Sequence, residues 1–147
     1  MDKEAVYIRD GRAPVPAQPA TSRVMSQVRG KNTKPELLFR KELRAQDVVG
    51  YRLHPKTLPG RPDVYLPSKK VAIFINGCFW HRCPYCKPSM PKTHKAFWSK
   101  KFTANVARDK AKRTLLKKKG IRSVVFWECQ IKKNVEKLVT KLKATTF

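Results

Sequence analysis

Between Asn76 and Cys86 the chain reads NGCFWHRCPYC, placing Cys78, Cys83 and Cys86 at a C-x4-C-x2-C spacing, with Cys129 far downstream. A C-x2-C pair supplies half of a tetrahedral thiolate site, and Cys78 and Cys129 complete a shell of four. Such a shell leaves no open position for water, so its zinc would be structural and would tie this loop to the segment around Cys129. His81 or His94 could replace one thiolate, and four reduced core cysteines are the plainer reading. Held three residues from a ligand, His81 could act as general base toward a water, or could ligate or merely pack. Asp63 follows the turn-forming Leu58-Pro59-Gly60-Arg61-Pro62. A carboxylate at a strand edge in basic surroundings suits Mg²⁺ in phosphoryl transfer, usually with a second oxygen from a neighbouring strand; taken alone, Asp63 reads better as a turn cap. Asp109 either pairs along its own helix with Lys112 or Arg113, or orients a histidine or a water.

The surroundings favour a polyanionic partner. The formal net charge is +24, and Asp109 is the single acid between Val64 and Trp127, among sixteen lysines and arginines. This field suits nucleic acid and makes binding salt-dependent. Phe79, Trp80 and Trp98 are candidates for stacking on bases or wedging between them, although aromatic residues are more often core. Apolar runs reach only about five residues against the roughly twenty of a membrane span. The first residues lack the apolar centre of a signal peptide. The expectation is a cytoplasmic, nucleoid-associated protein with no membrane partner, in which clustered cysteines bind metal rather than form disulfides.

These residues need elements to position them. Residues 1–21, with Pro14, Pro16 and Pro19, read as a disordered arm, and residues 22–147 as one domain. The arm turns basic through Arg23, Arg29, Lys31 and Lys34. Thr33-Lys34-Pro35-Glu36 has the form of a capping box opening a helix to about Gln46, which is the bland role for Glu36. Short strands are expected over 49–53 and 63–66, and a buried one over 71–75, the last two forming a hairpin. A helical region from Thr93, with a break near Thr103, reaches Lys119, and Gly120 stands where a helix-terminating glycine belongs. Residues 122–127 read as a strand, and Val135, Leu138, Val139 and Leu142 mark an amphipathic last helix. The expected class is α/β or α+β, a small mixed sheet covered by helices.

Together the segments Lys31–Glu36, Leu58–Asp63, Gly77–His81, Phe97-Trp98, Asn105–Asp109 and Trp127-Glu128-Cys129 resemble the Vsr family of very-short-patch mismatch-repair endonucleases, in family order and over some three quarters of the chain. The resemblance implies a restriction-endonuclease-like fold of the PD-(D/E)xK group and a structural zinc. It further implies Mg²⁺-dependent nicking of double-stranded DNA on the 5′ side of the thymine in a T:G mismatch, the product of 5-methylcytosine deamination. By position, Asp63 matches the metal-binding aspartate and the backbone carbonyl of Ile75 its partner oxygen. His81 matches the water-activating base, Asp109 its support, and Glu36 an acid near the site. Phe79, Trp80 and Trp98 match the wedging aromatics, and the arm with Arg23, Arg29 and Lys31 would embrace the duplex. A monomer linked to a cytosine-5 DNA methyltransferase and to mismatch-repair proteins is implied. Asn76 departs from the Asp or His common in relatives, and Cys83 and Cys86 from a His and Cys pairing. The rival readings are a homing-type or restriction-associated endonuclease cutting matched DNA, and a non-catalytic zinc-bearing DNA-binding module. Asp63, His81 and Asp109 occurring together argue against the last.

Overall fold

The computed structural model describes residues 32–147; the expected N-terminal arm, with Arg23, Arg29 and Lys31, lies outside them. Four strands form one sheet in the order β1 (Arg52–Leu53), β2 (Val64–Leu66), β3 (Val71–Asn76), β4 (Arg122–Trp127). β1, β2 and β3 run antiparallel to one another in turn, with Val64 opposite Ile73 in the expected hairpin. β3 and β4 are parallel, with Ile75 opposite Phe126. A parallel pair cannot be closed by a tight turn. The connection here is the 24-residue helix α3 (Lys95–Lys118), preceded by the one-turn helix α2 (Cys78–His81).

The alternation of β3 divides the core. Val71 and Ile73 pack with Phe39 and Leu43 of α1 (Lys34–Ala45) and with Ile131, Val139 and Leu142 of α4 (Glu128–Thr146). Phe39 meets Phe126 of β4 at 5.3 Å between ring centroids. On the other face Ala72 packs with Leu116 of α3 and Ile121, and Phe74 joins them. Two helices therefore cover one face of the mixed sheet and one helix the other. Among the described residues no helix is long and apolar enough to cross a membrane.

Local chemistry explains where the elements begin and end, with three departures from expectation. Glu36 turns back to accept from the backbone N–H of Asn32 at 2.9 Å rather than from the backbone N–H of Thr33, whose hydroxyl donates to its other oxygen at 3.4 Å, so it closes the start of α1 one residue earlier than a capping box does. α3 runs unbroken through Thr103, whose hydroxyl donates to the Ser99 carbonyl at 2.9 Å and satisfies itself inside the helix. It ends where expected, at Gly120 with φ +74°. α4 starts directly after β4 at Glu128, earlier than the apolar pattern shows, and carries a non-helical residue at Asn134. The Asn134 side chain accepts from the Lys137 N–H at 3.0 Å, restarting the helix as a cap would.

Candidate active site

β2 runs antiparallel to both its neighbours, so the start of β2 and the ends of β1 and β3 lie at one edge of the sheet. Asp63 stands just before β2, and its N–H donates to the Ile73 carbonyl at 3.0 Å. Its carboxylate Oδ2 accepts from the Ile75 N–H at 2.6 Å. In an extended strand the N–H and C=O of one residue point to the same side, so the Ile75 carbonyl projects toward the edge that holds Asp63. Burial pushes the Asp63 carboxyl up to about 7 from 3.8, against the Ile75 hydrogen bond, which lowers it; nearby Glu36 raises it further, and Arg40 and His81 offset part of the rise. A half-buried carboxylate of this kind holds a proton near neutrality unless a cation takes its place.

His81 ends α2, one turn beyond β3. Its Nδ1 lies 2.6 Å from Asp109 Oδ2 on α3. A carboxylate only accepts, so Nδ1 carries the proton and Nε2 is left as the basic nitrogen. Asp109 thus pairs with the histidine and not with Lys112 or Arg113 of its own helix. The Asn105 amide, one turn earlier on α3, donates to the Trp80 carbonyl at 3.1 Å and pins α2 to α3.

Two residues not singled out in the sequence complete the edge. His54, just past β1, has Nε2 3.4 Å from Glu36 Oε2 and Nδ1 3.8 Å from Asp63 Oδ1. Glu36, His54 and Asp63 together offer ligand atoms within 4.8 Å of one another. Arg40 Nη2 reaches Glu36 Oε2 at 3.0 Å, the Asn32 carbonyl oxygen of its side chain at 2.8 Å and His54 Nε2 at 3.1 Å. Glu36 is therefore more than a helix cap: at 3 % exposure it is buried beside Asp63 with a guanidinium balancing it. The signal was available for His54, a histidine ending one strand opposite an aspartate that opens the next. Arg40 carried none, since an arginine four residues after a glutamate reads as a surface pair.

Beside the edge, Cys78, Cys83, Cys86 and Cys129 bring their sulfurs within 4.8 Å of one another. Cys83 and Cys129 stand 3.7 Å apart, far beyond the ~2.05 Å of a disulfide and close to the ~3.8 Å edge of a tetrahedron with 2.3 Å zinc–sulfur bonds. The Cys129 N–H donates to Cys78 Sγ at 3.3 Å and the Tyr85 N–H to Cys83 Sγ at 3.4 Å, as thiolate ligands require. The residues fit a tetrahedral metal ion, and no histidine takes part.

Phe79 and Trp80 project from α2 into an aromatic cluster. The Phe79 ring meets Trp80, Trp98 and Phe102 edge-on at 5.0, 5.5 and 5.2 Å. Trp98 lies against Phe102 and is only 8 % exposed. Trp98 thus belongs to the packed base of the cluster, and Phe79 and Trp80 to its outer part.

This constellation has relatives. The family model described as DNA mismatch endonuclease Vsr matches residues 16–87. The Type II nicking enzyme V.XorIIP of Xanthomonas oryzae pv. oryzae is 43% identical over 110 residues, covering 74% of this chain and 79% of that one. The chain belongs to the Vsr family of DNA endonucleases. The Type II nicking enzyme V.NmeAIP of Neisseria meningitidis is 41% identical over 109 residues, 74% of this chain and 77% of its own. The DNA mismatch endonuclease Vsr of Escherichia coli K12 is 34% identical over 84 residues, 57% of this chain and 54% of its own. The family match ends at Lys87, just past the third cysteine, so Asp63, His81 and three of the four thiolates fall inside it and Asp109 beyond it.

Proposed function

We propose that this endonuclease nicks one strand of duplex DNA on the 5′ side of the thymine in a T:G mismatch, with Mg²⁺ at Asp63 and a structural zinc on Cys78, Cys83, Cys86 and Cys129. The observation that carries this reading is the convergence at one sheet edge of Asp63 with the His81–Asp109 pair. A restriction-endonuclease-like core of the PD-(D/E)xK group fits that edge, and residues 22–147 act as its single domain.

Asp63 and the Ile75 carbonyl would hold the Mg²⁺, which supplies charge neutralisation for the phosphoryl oxygens. The chain's own groups supply the rest. His81 takes a proton from the attacking water at Nε2, and Asp109 fixes the tautomer and stabilises the imidazolium that forms. Glu36 and His54 hold Asp63 from the side of α1, with Arg40 limiting the local negative charge. Phe79 and Trp80 wedge at the mismatch, on the packed platform of Trp98. Unstacking costs a few kcal/mol per step, and a wobble pair is already poorly stacked, so the cost is lowest there. The arm with Arg23, Arg29 and Lys31 embraces the duplex and adds affinity without sequence preference. The enzyme works as a monomer in the cytoplasm at the nucleoid, alongside a cytosine-5 methyltransferase and mismatch-repair proteins.

The test is a time course on labelled duplexes that differ only at one base pair, T:G or T:A, in several flanking contexts. A nick confined to the thymine strand of the T:G duplex is expected. Equal cutting of both duplexes, or double-strand cleavage at one matched sequence, would replace this reading by a matched-site endonuclease.

A further inference from the structure

α2 is a single turn of four residues, and a helix gains from its hydrogen bonds only after that costly first turn is closed. It nevertheless carries Phe79 and Trp80, so the angle of both rings depends on what ties down its last carbonyls. Asn105 of α3 holds the Trp80 carbonyl. The two carbonyls before it are held from Arg82. The Arg82 N–H donates to the Cys78 carbonyl and closes the turn, and its Nη1 reaches the Phe79 carbonyl at 3.4 Å.

Arg82 stands in the left-handed region, at φ 55° and ψ 69°. A glycine would sit there without a clash, whereas a Cβ crowds the following carbonyl. The side chain gives a reason for an arginine at this place. Its Nη2 donates to the Pro88 carbonyl, on the far side of Cys83 and Cys86. Its guanidinium carbon lies 4.3 Å from the ring centroid of Phe102 and 5.9 Å from that of Phe79. Phe102 is buried on α3 and stacks with Trp98 at the base of the aromatic cluster. One flat cation therefore joins the end of α2, the far end of the thiolate turn and the floor supplied by α3. Stacking and donating in its own plane at once is something an ammonium cannot reproduce.

We propose that Arg82 is a positioning residue for mismatch recognition, fixing the angle at which α2 presents Phe79 and Trp80 to the base stack. The proposal rests on the reading that these rings wedge beside the mismatch. A wedge held rigid forces every bound duplex to unstack, so a matched pair meets the full cost and a wobble pair less. A wedge free to fold aside lets both duplexes bind without that comparison, and the preference is lost.

The test replaces Arg82 in two ways. Arg82→Gly keeps the left-handed backbone and the capping N–H, and Arg82→Lys keeps the charge without the fork. Binding to T:G and T:A duplexes carrying 2-aminopurine beside the variable pair is followed in magnesium-free buffer. Wild type should brighten the T:G probe at saturation, because the base unstacks. Both variants should brighten it less and lose roughly tenfold in T:G-over-T:A affinity, as for one charge-assisted hydrogen bond, while binding T:A as tightly as wild type. Equal losses on the two duplexes would make Arg82 a general scaffold residue and overturn the proposal. So would variants that brighten the probe and discriminate as wild type does, with the wedge left standing. A wild-type protein that binds the T:G duplex without brightening the probe would remove the wedge itself, and the role of Arg82 with it.

Discussion

The Ile75 amide and Asp63 Oδ2, 2.6 Å apart, join the middle strand of the sheet to the carboxylate most altered by its surroundings. Burial outweighs this bond and leaves the carboxyl near 7, above its ordinary 3.8. The folded chain therefore keeps a proton between about pH 4 and pH 7 that the unfolded chain releases. In magnesium-free protein this contribution to stability is complete below pH 4 and is lost as the pH rises through 7, a change on the order of 4 kcal/mol. Asp63→Asn, which keeps the acceptor for Ile75, should unfold at higher denaturant than wild type at pH 8 and at nearly the same denaturant at pH 4. Equal midpoints at pH 8 would show that Asp63 is not penalised by burial. Since a metal must displace that proton, magnesium binding to wild type should tighten as the pH rises from 6 to 8.

The His81–Asp109 pair should behave as one unit. His81→Ala removes the basic Nε2 and should slow cleavage by about 10² to 10⁴-fold. Asp109→Asn leaves the shape but favours the wrong tautomer and should cost on the order of 10²-fold or more. Adding Asp109→Asn to His81→Ala should cost little further, because groups acting together are not additive. Multiplying losses in single-turnover assays would separate the two residues.

The four sulfurs should hold one metal ion per chain. Protein washed with a weak chelator should retain one zinc by elemental analysis, and Cys129→Ala should lose it and fold poorly. Well-folded, metal-free wild-type protein would remove the zinc from the structure's account.

The two tryptophans of the cluster should part company. Trp98→Ala empties a buried position and should cost roughly 3–5 kcal/mol of stability. Trp80→Ala, at the outer part, should cost less stability and instead reduce the ratio of T:G to T:A cutting. Equal losses of stability in denaturant titrations would place both in the core.

The sequence made legible those features whose signal is local. The hairpin of β2 and β3 follows from two apolar runs around Ser68-Lys69-Lys70, and the end of α3 from Gly120. The thiolate cluster follows from the pairing of Cys83 with Cys86, with Cys78 and Cys129 as partners; that no histidine replaces a thiolate is visible only where the four sulfurs meet. What local patterns could not show was adjacency between distant segments. Nothing near His54 says that Glu36 lies 3.4 Å away, and nothing near Gly60 shows that Lys112 will cross it. Arg40 looked like half of a surface pair and is instead buried, holding Glu36, Asn32 and His54 together. Trp98 carried the same letter as Trp80, and only the packing of α2 on α3 separates a platform from an outer ring.

The cysteines also bear on how the chain could be divided. Three of them precede the exposed stretch of residues 89–93, and Cys129 lies beyond it. A backbone cut in that stretch would leave two pieces that share β3 and β4 as parallel neighbours and, with the metal bound, one ion held by three sulfurs of the first piece and by Cys129 of the second. The thiolate knot would then serve as a rivet between separate polypeptides. The two fragments, expressed apart and mixed with zinc, should assemble into one working endonuclease, and a chelator should set the pace at which they separate.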